Sequence, residues 1–230
     1  MFINKKFIVF LFAVLTGITF CQAIENADDD DDEAPKSSWI ELGFYNPIQI
    51  FDEHTDITCF RLSVIYTCNK SVNGLDTGLV CKSVDANGLQ FAWSNTATGI
   101  VNGLTIGLFN EAGVEMNGMQ IGIYNHAGSD SEENEVKTKT AESVGMQWGW
   151  ANCADAVFSG FQLGITNVST TLFDGLQIGI VNISERPDKM FDQFQTEKFQ
   201  EAQGKSSCFQ IGVINYNPEG FLPITLLINF

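Results

Sequence analysis

Gly175-Leu176-Gln177-Ile178-Gly179-Ile180-Val181-Asn182 is the stretch whose reading decides the fold. Leu176, Ile178 and Ile180 fall on one side of an extended chain, and Gln177, Gly179 and Val181 on the other, because strand side chains alternate. On a helix, Leu176 and Ile178 would lie roughly 200° apart, and the internal glycine would weaken it. The string therefore reads as a strand. It recurs at residues 103–110, 118–125, 145–152, 160–167 and 208–215, with weaker copies at 39–46, 59–66, 74–81 and 88–95.

The copies align as columns. The Gln column runs Glu41, Arg61, Asp76, Gln90, Thr105, Gln120, Gln147, Gln162, Gln177, Gln210, with steps of 20, 15, 14, 15, 15, 27, 15, 15 and 33. The period is fifteen, broken three times by insertions that leave the motif intact, and self-similarity of this kind outranks local propensity as a fold signal. The repeat-defining residues are Gln120, Gln147, Gln162, Gln177 and Gln210, then Gly107, Gly122, Gly149, Gly164, Gly179 and Gly212. Asn110, Asn125, Asn152, Asn167, Asn182 and Asn215 complete the set, with Tyr66 and Cys81 standing in that column near its start. A recurring Asn reads either as a stacked ladder or as a turn position that tolerates left-handed backbone, the turn being the plainer account. Connectors ending in Asn73-Gly74, Asn87-Gly88, Asn102-Gly103, Asn117-Gly118 and Asp174-Gly175 predict corners with positive φ.

Before the repeats, residues 1–23 read as an export signal: Lys5 and Lys6 precede an apolar run over residues 7–20, with cleavage expected after Ala23. A lipid-modified Cys21 is the alternative, although Phe20 fits that site poorly. Residues 24–38 form an acidic tether around the run Asp28 to Glu33, which repels itself and buries nothing. Residues 39–230 make one β repeat domain, long enough for a continuous core. Of its insertions, 126–144 is polar and charged, while 183–207 carries Pro187, Met190, Phe191, Phe194 and Phe199 near helical spacing. The terminal apolar strand begins beside Pro223, which argues for a sheet edge.

From residue 24 onward the chain holds 28 acidic and 10 basic residues, a poor surface for nucleic acid. Cys59, Cys68, Cys81, Cys153 and Cys208 show no zinc-type spacing, and their pairing is open. His54 and His126 lie in polar connector contexts, outside any local metal or nucleophile motif, and read as exposed. The residues thus point to no catalytic group, no metal and no cofactor. A catalytic cluster would have to be assembled from insertion residues such as His126 and Glu135.

The opening Phe60-Arg61-Leu62-Ser63-Val64-Ile65-Tyr66, the Gly-Leu-Gln-Ile-Gly-Ile-x-Asn strings and the ending from Gly220 to Phe230 resemble one known family. These are bacterial exported proteins described as surface-repeat-containing, of the type named from leptospiral examples, and the resemblance covers nearly all of residues 39–230. It implies an exported, envelope-associated protein at the cell surface, in the outer membrane or outside the cell. It supplies no activity.

Two all-β architectures fit the period. In a β-solenoid each period is one coil, with Leu176, Ile178 and Ile180 inward and the Gln and Gly columns forming a flat outer face. In a meandering outer-membrane β-barrel each period is one strand, with the apolar column facing lipid. Three alternating apolar positions span only about 14 Å at ~3.4 Å per residue, against a lipid-facing band of about 25 Å, so the solenoid is preferred. The functional expectation is a structural or adhesive surface protein contacting an envelope or surface ligand, without catalysis. A pore or anchor in the outer membrane is the alternative.

Overall fold

The computed structural model describes residues 36–46, 48–128, 142–155, 157–169, 172–184, 208–218 and 220–230. The spans read as an export signal, with Ala23, and as a tether up to residue 35 lie outside that set, as do Glu135, Pro187, Met190, Phe191, Phe194 and Phe199.

Every regular element among the described residues is a strand. The first coils comprise β1 (Ser37–Tyr45), β2 (Ile48–Gln49) and the long run β3 (Asp56–Ala97). There follow β4 (Ile100–Ile106), β5 (Phe109–Ala112), β6 (Glu115–Ile121), β7 (Tyr124–Ala127), β8 (Glu142–Trp148) and β9 (Ala151–Ala154). The last are β10 (Val157–Leu163), β11 (Thr166–Ser169), β12 (Leu172–Ser184), β13 (Cys208–Tyr216) and β14 (Ile224–Asn229). β1 thus begins two residues inside the span read as tether.

Consecutive even strands pair in parallel from β4 to β12, and consecutive odd strands from β5 to β11. β3 at one end and β12 with β13 at the other belong to both faces, so the strand path closes into a ring. The register is that of the sequence repeat: Gln147 lies beside Gln120 and Gln162, and Asn152 beside Asn125 and Asn167. This is the pairing of stacked coils. A meander pairs successive strands antiparallel, which among the described residues happens only where β2 meets β1 and β14 meets β13. The stack continues in phase on either side of the insertions, since Gly118 still pairs with Gly145 and Gly175 with Cys208.

The faces of the coil are reversed relative to expectation. Gln120, Gln147, Gln162, Gln177 and Gln210 are fully buried, as are Asn110, Asn125, Asn167, Asn182 and Asn215. Beside them lie Val101, Met116 and Phe158 from the first sheet and Ala112, Ala127 and Ala154 from the second. Leu89, Phe91, Trp93, Ile123, Trp150, Ile165 and Ile180 are exposed. The apolar column therefore points outward and the Gln column inward. Alternation distinguishes two faces without saying which is the inner one, and exchanging them moves every side chain at once.

The buried amides are tolerable because stacking satisfies them. From Asn95 to Asn182 each Asn side chain donates to the Asn of the following coil: Asn110 to Asn125 at 2.8 Å, Asn152 to Asn167 at 2.8 Å, Asn167 to Asn182 at 2.8 Å. The same Nδ2 group also donates to a backbone carbonyl of that coil, as Asn167 does to Ile178. Each Gln donates the opposite way, to the preceding coil: Gln147 to Gln120, Gln162 to Gln147, Gln177 to Gln162 and Gln210 to Gln177, at 2.7–2.9 Å. The Asn column is thus a ladder and not a turn. Left-handed backbone falls instead on glycines inside the strands, such as Gly118 with φ 138° in the middle of β6. The Asn ladder opens at Asn95, whose Oδ1 has no partner because its stacking position in the preceding coil is held by Cys81.

The ladders also explain the glycine column. A Cβ on Gly122 would stand 2.5 Å from the carbonyl oxygen of Gly107 and 2.6 Å from Nδ2 of Asn110. No side chain fits between a coil and the amide ladder beneath it.

Both ends of the stack are closed by polar groups. At the first coils the Gln column becomes Glu41, Arg61 and Asp76, all buried. Arg61 forms a two-pronged ion pair with Asp76 at 2.8 and 2.6 Å and donates further to Asn69 and to the Lys82 carbonyl. Glu41 accepts from the amides of Ile50 and Phe51 at 2.9 and 3.1 Å. At the last coil Asn229 of β14 donates to Gln210 and to the Leu222 carbonyl, and β14 begins directly after Pro223 at the sheet edge.

Three outcomes are expected. Asn167→Leu should cost about 1–3 kcal/mol for each polar group it strands, whereas Ile165→Thr on the outer face should change stability by no more than about 0.5 kcal/mol; urea unfolding midpoints compare them. Asp76→Asn should cost about 3–5 kcal/mol by leaving the Arg61 guanidinium buried without its counter-charge. Burial lifts the Glu41 carboxyl above its ordinary 4.5, outweighing the Ile50 and Phe51 amides and Arg61. A carboxyl raised by folding adds stability that is complete below its unfolded value and is lost as pH rises through the folded one. Glu41→Gln should therefore remove a fall in stability that the wild-type chain shows as pH climbs above 4.5.

Candidate functional site

The outward columns meet at the bend that follows the first strand of each coil. On one flank stand Phe91, Ile106, Ile121, Trp148, Leu163, Ile178 and Ile211, of which Ile106, Ile121, Trp148 and Leu163 end their strands while the others lie within the longer runs β3, β12 and β13. On the other stand Trp93, Leu108, Ile123, Trp150, Ile165, Ile180 and Val213. The glycine column lies between them as a floor without side chains. The result is an apolar furrow running along the stack. Its first part is a depression of about 550 Å³ in which Phe91, Trp93, Trp148 and Trp150 stand around Gly107, Gly122 and Gly149. Its second, of about 520 Å³, continues on the same columns over Gly164, Gly179 and Gly212 to Leu227 and Ile228 of β14. At about 4.8 Å per coil, the seven coils from Phe91 to Ile211 give a length of about 29 Å.

The furrow walls stay exposed despite their chemistry: Trp93 is 66 % and Trp150 64 % accessible. A contiguous apolar surface on this scale marks a contact region. The sequence reading found the alternation that builds these walls but assigned them to the interior, so it missed the furrow.

A second cluster lies on the outer side of the other sheet. His126 of β7 and Cys153 of β9 are Cα partners across the parallel pair, and Asp155 lies two residues beyond Cys153 on the same face. His126 Nε2 is 2.8 Å from Asp155 Oδ2, with side chains 13 % and 18 % exposed. The Cys153 thiol donates to Asp155 Oδ1 at 3.8 Å. Burial disfavours the imidazolium, but the Asp155 hydrogen bond and the neighbouring thiol outweigh it and raise His126 to about 10. The Tyr124 ring stacks on the imidazole at 6.1 Å. His126 is therefore neither exposed nor alone. The signal was present in the sequence, because His126 follows Asn125 and Cys153 follows Asn152 in the same column, which the stack brings side by side. His54 is exposed, and its backbone amide donates to Asp52.

The remaining sequence candidates are structural. The Gln, Gly and Asn columns form the interior ladders and the furrow floor. Cys59, Cys81, Cys153 and Cys208 are free thiols, so none is bonded to another; burial pushes the Cys208 thiol up to about 12. The chain matches no family model, no curated protein and no solved structure.

Proposed function

We propose that this chain is an exported repeat protein of the bacterial cell envelope that works by surface contact, in a structural or adhesive role, without catalysis. The observation that carries this reading is the outward apolar furrow, continuous over seven coils above an interior of hydrogen-bonded amide ladders. The export-like sequence of residues 1–23 and the surface-repeat resemblance support the location. The furrow walls carry no charged side chain, so the partner is an apolar surface and not nucleic acid.

One observation favours a second reading, an anchor in the outer membrane. Apolar residues outward and polar residues inward is the distribution of a membrane barrel. Parallel strands and an interior filled by amide ladders weigh against a pore.

The test is flotation of the purified chain with zwitterionic phosphatidylcholine vesicles in high salt, beside light scattering without them. Vesicle binding or self-association that survives salt and drops in a Trp93→Ser/Trp150→Ser variant is the expected result. A monomer that neither floats nor binds an apolar dye would sink the contact-surface reading. Solubility only in detergent, with gel mobility that changes on heating, would favour the membrane anchor.

A further inference from the structure

We propose that His126, Cys153 and Asp155 form a binding site for a borderline transition-metal ion, Zn²⁺ in the first instance, which clips two neighbouring coils together. The inference is independent of the furrow, which lies at the bend and uses none of these residues.

Four observations carry it. First, the imidazole nitrogen, the thiol sulfur and a carboxylate oxygen all lie within 4.8 Å of one another. Around tetrahedral Zn²⁺, with bonds of about 2.0–2.3 Å, ligand atoms stand roughly 3.3–3.8 Å apart. The thiol faces one oxygen of Asp155, with Sγ 3.8 Å from Oδ1, and the imidazole the other, with Nε2 2.8 Å from Oδ2, so a carboxylate bound through one oxygen must turn, and the nitrogen–oxygen pair must open by about half an ångström, as the metal replaces the shared proton.

Second, the donor set selects the metal class. One thiolate, one imidazole and one carboxylate suit Zn²⁺ and its neighbours, whereas Ca²⁺ and Mg²⁺ require mostly oxygen donors. Three protein ligands leave a fourth position for water or for a group from outside.

Third, the ligands are held before any metal arrives. Gln120 Nε2 donates to the His126 carbonyl and Gln147 Nε2 to the Cys153 carbonyl, each at 3.1 Å. The interior ladder therefore fixes the backbone of both ligand residues, and the Asp155 amide is bound to the Ala127 carbonyl at 2.9 Å. The Tyr124 ring stacks beside the imidazole, the centroids 6.1 Å apart. Such supporting contacts are what orient metal ligands.

Fourth, the arrangement argues against the competing use of the same residue types. A nucleophilic relay places the imidazole between thiol and carboxylate, the thiol giving its proton to the ring. Here the thiol donates to the carboxylate as well as lying beside the ring, and the three ligand atoms lie within 4.8 Å of one another. The combination is also local: the equivalents of His126 and Cys153 in neighbouring coils are Glu111, Val168 and Ile183.

The experiment uses the full chain, reduced and stripped of metal by chelation, titrated with Co²⁺ and then Zn²⁺. The expected result is one equivalent of Co²⁺ with a thiolate-to-metal charge-transfer absorption, displaced by Zn²⁺. Cys153→Ser should abolish the absorption. Because even supporting contacts are worth about 10–100-fold in metal affinity, His126→Ala and Asp155→Asn should each weaken binding at least about 10-fold. Circular dichroism checks that each variant keeps its β signal. Should a variant misfold, the wild-type chain still decides: Zn²⁺ should slow alkylation of Cys153 and leave the exposed Cys59 unchanged, read by peptide mass mapping. No saturable binding, an unchanged absorption in Cys153→Ser, or alkylation of Cys153 indifferent to Zn²⁺ would each overturn the site.

Discussion

The structure depends on the stacking of identical amides. A buried carboxamide with no partner costs about 1–3 kcal/mol, and this interior contains two columns of them. They are affordable only because the repeat places an identical group one strand spacing away, so that each amide is donor to one neighbour and acceptor to another. That constraint sets the rest of the architecture. The coils must stack in register, since a slip of one residue would put an aliphatic side chain against an amide. The bend must be glycine, because the Asn ladder leaves no room above it. The first coils, where the Gln column ends, must close it with the mutually compensating Glu41, Arg61 and Asp76.

Filling the interior with amides consigns the aliphatic and aromatic residues to the outside. In most soluble repeat proteins the hydrophobic effect holds the coils together from within. Here the small core of Met116, Phe158 and the alanine column does part of that work. The larger apolar columns lie where a partner surface, a bilayer or another copy of the chain would cover them. The ladders thereby hold the fold without the larger apolar columns, whose side chains are left exposed.

Much of this was legible in the sequence, and the limits have physical causes. The fifteen-residue period fixed the strands, the coil boundaries and the in-phase return after the insertions, because register in a stack is a property of spacing alone. The direction of the side chains was not legible. Gln177 and Ile178 alternate equally well either way, and the usual inference that apolar means inside fails when polar groups satisfy one another. For the same reason the Asn column passed for a turn: a lone Asn favours turns, and only its periodic neighbours make it a ladder. The His126 cluster was hidden because metal motifs are sought at short local spacings, while here 27 residues separate His126 from Cys153. Once the columns are aligned, the two are adjacent.

The opposed directions of the two ladders bear on how such a chain can grow. Hydrogen-bonded amides in single file sum their dipoles, much as peptide units do along a helix. The Asn file donates toward the C-terminal end of the stack and the Gln file toward the N-terminal end. Their axial fields therefore oppose each other within every coil. Adding or deleting a fifteen-residue unit leaves the long-range field at either tip nearly unchanged, so the end caps need no new charges to suit a different length. In its amide files each coil adds no net axial dipole, and tandem duplication can lengthen the ladders without redesign of their ends.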